Sequence, residues 1–154
     1  MRIFNLFLSF SLLIAMTACS NDADEDNNDD TPNTGSNQIS LVIDSQDINV
    51  SDNITGAVMD HKIVIGANGA DGDIQITFDD SIAAGTYSSD FIITHGSAGL
   101  AVFTTVTNAT SISLTITTHN QADKHVVGTF DVDFTDNVSG DNRVASGSFD
   151  IYYY

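Results

Sequence analysis

The chain has 154 residues, 21 acidic side chains against four lysines and arginines, a formal charge of −17 and one cysteine. That balance excludes nucleic acid and anionic surfaces as electrostatic partners, and a lone cysteine excludes an intramolecular disulfide. No apolar run reaches the roughly 20 residues a membrane-spanning helix needs, and no cofactor motif is present.

Met1-Arg2 is a short basic start, followed by the apolar run Leu6–Met16. This reads as a signal peptide over residues 1–18, too short to span a bilayer as a stable helix. Met16-Thr17-Ala18-Cys19 closes it. An apolar residue, two small residues and a cysteine resemble the bacterial lipoprotein signal. The resemblance implies that Cys19 is acylated on sulfur, becomes the new N-terminus and is acylated there too. Each buried methylene contributes about 0.8 kcal/mol, so one chain holds marginally and three hold permanently. The simpler alternative is a secretory signal with an incidental free cysteine.

Residues 19–38 change character. Asp22, Asp24, Glu25, Asp26, Asp29 and Asp30 crowd a stretch with almost no apolar content. It cannot bury enough surface to offset its ordering entropy, so a disordered acidic tether is expected. About 19 such residues span roughly 25 Å as a coil and about 60 Å when stretched. The run Asp22, Asp24, Glu25, Asp26 also resembles the acidic export signal that follows the lipidated cysteine in surface lipoproteins of the Bacteroidota. That implies an outer-membrane lipoprotein facing the cell exterior, with a periplasm-facing one as the alternative.

Residues 39–154 are expected to form one all-β domain. Thr, Ile, Val and Ser dominate, and the only fixed cations are Lys62, Lys124 and Arg143. No stretch has sustained helical periodicity, while short alternating runs are separated by Gly, Asn, Asp and Ser. Strands are expected at residues 39–44, 48–59 with a break near Asp52-Asn53, 62–67, 73–78, 91–95, 100–106, 111–118, 126–135 and 144–153. Gly85-Thr86-Tyr87 reads as a short edge strand. Asp60-His61 and Asn68–Gly72 read as turns, and 79–84, 96–99, 107–110 and 136–142 as loops. Ile63 and Ile65; Ile74, Ile76 and Phe78; Ile112, Leu114 and Ile116; Phe130, Val132 and Phe134; and Phe149, Ile151 and Tyr153 are the expected inward faces. The last two strands should pair as an antiparallel hairpin. The architecture is an antiparallel β-sandwich or flattened β-barrel of about eight to ten strands.

Gly85-Thr86-Tyr87, Gly128-Thr129-Phe130 and Gly147-Ser148-Phe149 resemble a family of small β-rich lipoprotein domains from Bacteroidota, which carries no assigned activity and supplies no catalytic residues. Physically, each glycine would permit a bulge or a close backbone approach beside a core aromatic.

Candidate chemistry is sparse. Asp131, Asp133 and Asp150 are candidates for calcium on one face of the terminal hairpin, as are the oxygen-rich turns of Asn68, Asp71 and Asp73 and of Asp136, Asn137, Asp141 and Asn142. The plainer reading is a solvated acidic face with ordinary turn chemistry. His61, His95, His119 and His125 lack close metal-ligand spacing, though His119 and His125 flank one loop and could approach across a hairpin. There is no Gly-x-Ser-x-Gly elbow. Without tryptophan, glycan stacking would fall to Tyr87, Tyr152 and Tyr154. Asp80-Ser81-Ile82 resembles an O-glycosylation acceptor of Bacteroidota, with Ser81 as the site. The sequence reads as a non-catalytic binding or structural module whose protein or glycan partner is open. The alternatives are a lipocalin-like barrel with an apolar cavity lined by Phe78, Phe103, Phe130 and Phe149, a glycan-binding accessory protein, or a hydrolase on glycans or peptides, which would need a cleft with convergent polar groups that the sequence does not show.

Overall fold

A computed structural model describes residues 35–97, 100–137 and 139–154. The expected signal peptide, Cys19 and most of the expected tether therefore lie outside the described residues. Strand-forming residues alternate throughout with turn residues, and the result is all-β. The strands are β1 (Gln38–Ile43), β2 (Gln46–Ile48), β3 (Asp52–Met59), β4 (Lys62–Gly69), β5 (Gly72–Asp79), β6 (Gly85–Tyr87), β7 (Phe91–Ser97), β8 (Leu100–Thr104), β9 (Ala109–Asn120), β10 (His125–Thr135) and β11 (Asn142–Tyr152). They form two antiparallel sheets, β2-β1-β11-β10-β9-β6 and β3-β4-β5-β7-β8. The sheets pack face to face and do not close on themselves, so the architecture is a sandwich rather than a barrel.

The alternation seen in sequence is the alternation of burial. Ile63, Ile65, Ile74, Ile76, Phe78, Ile93 and Phe103 point inward from one sheet. Leu41, Leu114, Val126, Phe130, Val132, Phe134, Phe149 and Ile151 point inward from the other. Each large apolar side chain so buried contributes roughly 1.5–3 kcal/mol. Phe78 stacks on Phe149 with centroids 6.0 Å apart, and Phe103 tilts against Phe134 at 4.8 Å. Phe78, Phe103, Phe130 and Phe149, the expected lining of a carrier cavity, are each at most 2% exposed and fill the interior.

Several boundaries differ from expectation for identifiable reasons. The expected strand 48–59 divides at 49–51, where the chain leaves the first sheet and Val50 enters the core, and the irregularity expected near Asp52-Asn53 is a register shift between Asp52 and Thr55, with Asn53 at φ 45°. The crossover is fastened by Asp71, whose backbone N–H donates to the Asn49 carbonyl at 3.1 Å and whose carboxylate accepts the Asn49 N–H at 2.8 Å. The expected strand at 100–106 stops at Thr104, and Gly96 and Ser97 extend β7. The fold also begins before Ile39. Asn37 uses its side-chain amide as a strand would, accepting from Tyr152 N–H at 2.8 Å and donating to Tyr152 C=O at 3.3 Å. The end of the expected tether is thus docked. Asp60 and His61 have φ of 49° and 60°, the left-handed pair that closes a two-residue hairpin between β3 and β4.

Gly128 and Gly147 are reciprocal. In the β10–β11 register Gly128 faces Phe149 and Gly147 faces Phe130. A Cβ on Gly128 would stand 2.5 Å from Phe149 Cζ and 2.6 Å from the Thr115 carbonyl, and one on Gly147 would collide with Phe130 Cζ and the Ser40 carbonyl. Each ring lies over the other strand's glycine, and a bulge falls between Val127 and Gly128. Gly85 departs from this pattern. Its added Cβ would meet only Tyr87, at 3.5 Å or more, which is ordinary contact.

Candidate functional site

The solvent-facing side of the six-stranded sheet carries the three aspartates of the terminal hairpin, together with His125 and Tyr152. Alternation places Asp131 and Asp133 outward on β10, opposite Ser146 and Val144. Asp150 is on the same face but pairs with Val127, four residues along the strand from Asp131. At ~3.4 Å per residue that is about 14 Å of strand. The three carboxylates share a face and do not converge, and no group of three or more metal-ligating side chains occurs among the described residues.

Asp150 is engaged elsewhere. His125 Nε2–H donates to its carboxylate at 2.6 Å, and the imidazole stacks on Tyr152 with centroids 4.1 Å apart and planes within 11°. His119 does not join them. It aligns with Val126, one position off His125, and so faces the other way. Its Nδ1–H donates to the Ile82 carbonyl at 2.7 Å, and Nε2 accepts the Tyr153 hydroxyl at 2.8 Å. The expected approach of His119 and His125 across a hairpin is therefore corrected by strand alternation. Burial raises the Tyr153 hydroxyl's pKa, with the charge of Asp80 adding to it.

His95 is a core residue, 2% exposed. Its Nδ1–H donates to the Asp73 carbonyl at 2.8 Å, and its ring tilts against Phe103. Burial lowers its pKa below the ordinary histidine value, only partly offset by that hydrogen bond. His61 is exposed and lies 3.7 Å from Asp80.

The candidate tyrosines do not form a platform. Tyr87 pairs with Leu114 on the inward side, packs against the core and donates its hydroxyl to the Ala83 carbonyl at 2.8 Å. Tyr152 faces outward beside His125, and Tyr154 is 75% exposed beyond the strand end. Tyr154 instead serves with its backbone: its carbonyl accepts Val58 N–H at 2.9 Å and its N–H donates to the Gly56 carbonyl at 3.3 Å. Ser81 is exposed in the loop after β5. Its hydroxyl donates to Asp79 at 2.5 Å, and this bond with the Ser81 N–H and Lys62 holds the Asp79 carboxyl at about 2.

The oxygen-rich turns are explained by their own hydrogen bonds. Asn68 accepts from Asn53 at 2.9 Å, and Asp71 is spent on Asn49. Asp136 is buried, accepts the Ser139 N–H at 3.1 Å, and is met at 3.1 Å by the Arg143 guanidinium. Arg143 also donates to Asp44 at 2.6 Å, and Asp44 takes the Val144 N–H at 3.0 Å. That N–H, then the guanidinium, lower the Asp44 pKa, while Arg143 is raised in return. Sequence reasoning missed this clamp between the β1–β2 turn and the β10–β11 loop. Its only sequence sign is that Arg143 is the domain's one arginine.

Asn108 was also missed. Its side chain donates to the carbonyls of Val102 at 3.2 Å and Thr135 at 2.7 Å and accepts the Thr104 N–H at 2.8 Å, while its own carbonyl accepts the Thr135 N–H at 2.9 Å. One residue plugs the outer edge of β8 and ties it to the opposite sheet.

The outer face itself is a field of hydroxyls. Thr86, Thr115, Thr129, Ser148 and Ser40 form one row across five strands. Ser40 and Ser148 lie 2.8 Å apart, and Thr86 and Thr115 3.0 Å apart. Asp131 and Asp133 stand beside this row. The surface offers neutral donors and acceptors flanked by negative charge, suited to polar or cationic groups. No protein-family model matches the chain, and no curated protein matches it either.

Proposed function

We propose that the chain is a lipid-anchored outer-membrane lipoprotein, held by acylated Cys19 and presenting a non-catalytic β-sandwich to the cell exterior on an acidic tether. The short Gly-aromatic strands support placing it with the small β-rich lipoprotein domains of Bacteroidota that they resemble. On this reading the sandwich is a binding module for a protein or glycan partner, and not for nucleic acid.

The observation that carries the module reading is where the reactive side chains go. His95, His119, His125 and Arg143 each hold a backbone carbonyl, a hydroxyl or a carboxylate in place. These structural hydrogen bonds, with the burial of His95, favour an architectural role for these side chains over acid–base chemistry. The filled interior favours a surface binder over a carrier of apolar ligands. Cys19→Ser tests the anchor. The wild-type chain should sediment with outer membranes and the variant should be released in soluble form; a variant that stays membrane-bound would overturn the reading.

A further inference from the structure

Several strand edges of the sandwich are guarded among the described residues, and one open stretch stands out by length and composition. Edge strands expose unpaired N–H and C=O groups that invite another chain, and proteins blunt them with short strands, charge or a covering group. Here β2 and β6 are three residues long, and β2 carries Asp47. The edge of β3 is taken by the backbone of Tyr154, and that of β8 by the side chain of Asn108. Strand β9 is different. Its inner edge pairs with β10, but β6 covers only Leu114–Ile116 of its outer edge. Ala109–Ser113 has no strand partner on that side among the described residues.

This open stretch has none of the usual guards. Ala109-Thr110-Ser111-Ile112-Ser113 holds no charge and no proline. At ~3.4 Å per residue it presents about 17 Å of edge. It is bordered by a groove of about 320 Å³ lined by Ser88, Thr105, Ala109, Thr110, Ser111 and Ile112. The groove lies where β6 would have continued. The chain instead turns away after Tyr87 through Asp90, whose φ is 66°, and enters the other sheet as β7.

We propose that this edge receives an extended segment of a partner protein, which adds as a strand antiparallel to β9 in line with β6 and carries lysine or arginine at its outward positions. Backbone hydrogen bonds to Ala109–Ser113 supply affinity, as in other strand additions. Charge selects the occupant. On the outward face Ser113 pairs with Asp131 and Ser111 with Asp133, so cations at alternate positions of the added strand lie two strands from two exposed carboxylates. A second copy of this chain, with its formal charge of −17, is repelled. Inward positions of the added strand meet Thr105 and Ser88 and take Val or Thr.

The inference rests on the binding-module reading and not on the anchor, so a failure at Cys19 leaves its test intact. The full-length chain in detergent is titrated with a capped Lys-Val-Lys-Val-Lys-Thr peptide, a capped Glu-Val-Glu-Val-Glu-Thr peptide, and the lysine peptide N-methylated at every amide. Backbone hydrogen exchange is followed alongside. The lysine peptide should bind and slow exchange within Ala109–Ser113; the glutamate and N-methylated peptides should not. Combining Asp131→Asn with Asp133→Asn, both exposed, should weaken binding about two- to threefold at low salt and less at high salt, as for exposed charges about 10 Å apart. Equal binding of the N-methylated peptide would mean simple attraction to acidic residues and would overturn the proposal. So would protection confined to other segments, or no binding. Protection of Ala109–Ser113 that rises with protein concentration alone would replace the partner with a second copy.

Discussion

Gly128→Ala is the sharpest test of the packing. The substitution adds one methyl group at a position whose backbone any residue can adopt, so the effect is steric. The new Cβ stands 2.5 Å from Phe149 Cζ, 3.1 Å from Phe149 Cε1 and 2.6 Å from the Thr115 carbonyl. Phe149 is 2% exposed and stacked on Phe78, so its ring has little room to retreat. The carbonyl belongs to the β9 backbone, which is held in the sheet. Overpacking of this kind costs about 2–3 kcal/mol, which in a domain of about 120 residues lowers Tm by about 10 °C. Thermal and urea unfolding of Gly128→Ala, Phe149→Leu and the double variant separate the two collisions. In the Phe149→Leu background the glycine substitution should cost about 1 kcal/mol less, the difference being the coupling to the ring. Gly85→Ala is the control, with no neighbour nearer than 3.5 Å, and should shift stability by no more than about 0.5 kcal/mol. A Tm for Gly128→Ala within about 2 °C of wild type would refute the reasoning, as would strict additivity with Phe149→Leu.

Other expectations follow from the same contacts. Asn108→Ala strips partners from the Val102 and Thr135 carbonyls and the Thr104 N–H and should cost about 2–3 kcal/mol in urea unfolding, with faster hydrogen exchange at Thr104. Arg143→Met removes the guanidinium from the buried Asp136 carboxylate and should cost about 1.5–3 kcal/mol in urea unfolding at neutral pH. His95 is held neutral in the fold with a pKa below 6.5, so as pH falls through 6.5 the unfolded chain takes up the proton first. Stability should therefore be full above that pH and decline below it, and His95→Gln should flatten this segment of the urea-midpoint profile even though it lowers the midpoint overall.

Much of the sandwich is legible in the amino-acid sequence because period-two alternation is a direct record of which face is buried. Ile112, Leu114 and Ile116 against Ser113, Thr115 and Thr117, or Phe130, Val132 and Phe134 against Asp131 and Asp133, announce both the strand and its inward side. Alternation does not record a strand's neighbour. That β2 and β3 belong to different sheets turns on Val50, an apolar residue that continues the pattern while leaving the strand. Sandwich and barrel write the same alternation, and only the pairing of strands distinguishes them. The hidden features are contacts between residues remote in sequence: Arg143 with Asp44, His119 with Ile82, Asn108 with Thr135. Nothing in the local composition of Thr107-Asn108-Ala109 marks an asparagine that satisfies the outer edge of β8 and the end of β10. The spread of Tyr87, Tyr152 and Tyr154 and the separation of Asp150 from Asp131 have the same origin, since only the register sets which outward residues meet.

The proposed anchoring of the sandwich at the cell surface through Cys19 is tested most directly by protease treatment of intact cells coupled to mass spectrometry of the N-terminal peptide. The prediction is that the domain is cleaved from intact cells and that the retained peptide begins at an acylated Cys19. Release of a chain whose Cys19 is unmodified would contradict the anchor, and an acylated chain whose domain survives protease until the outer membrane is breached would contradict its exposure to the exterior.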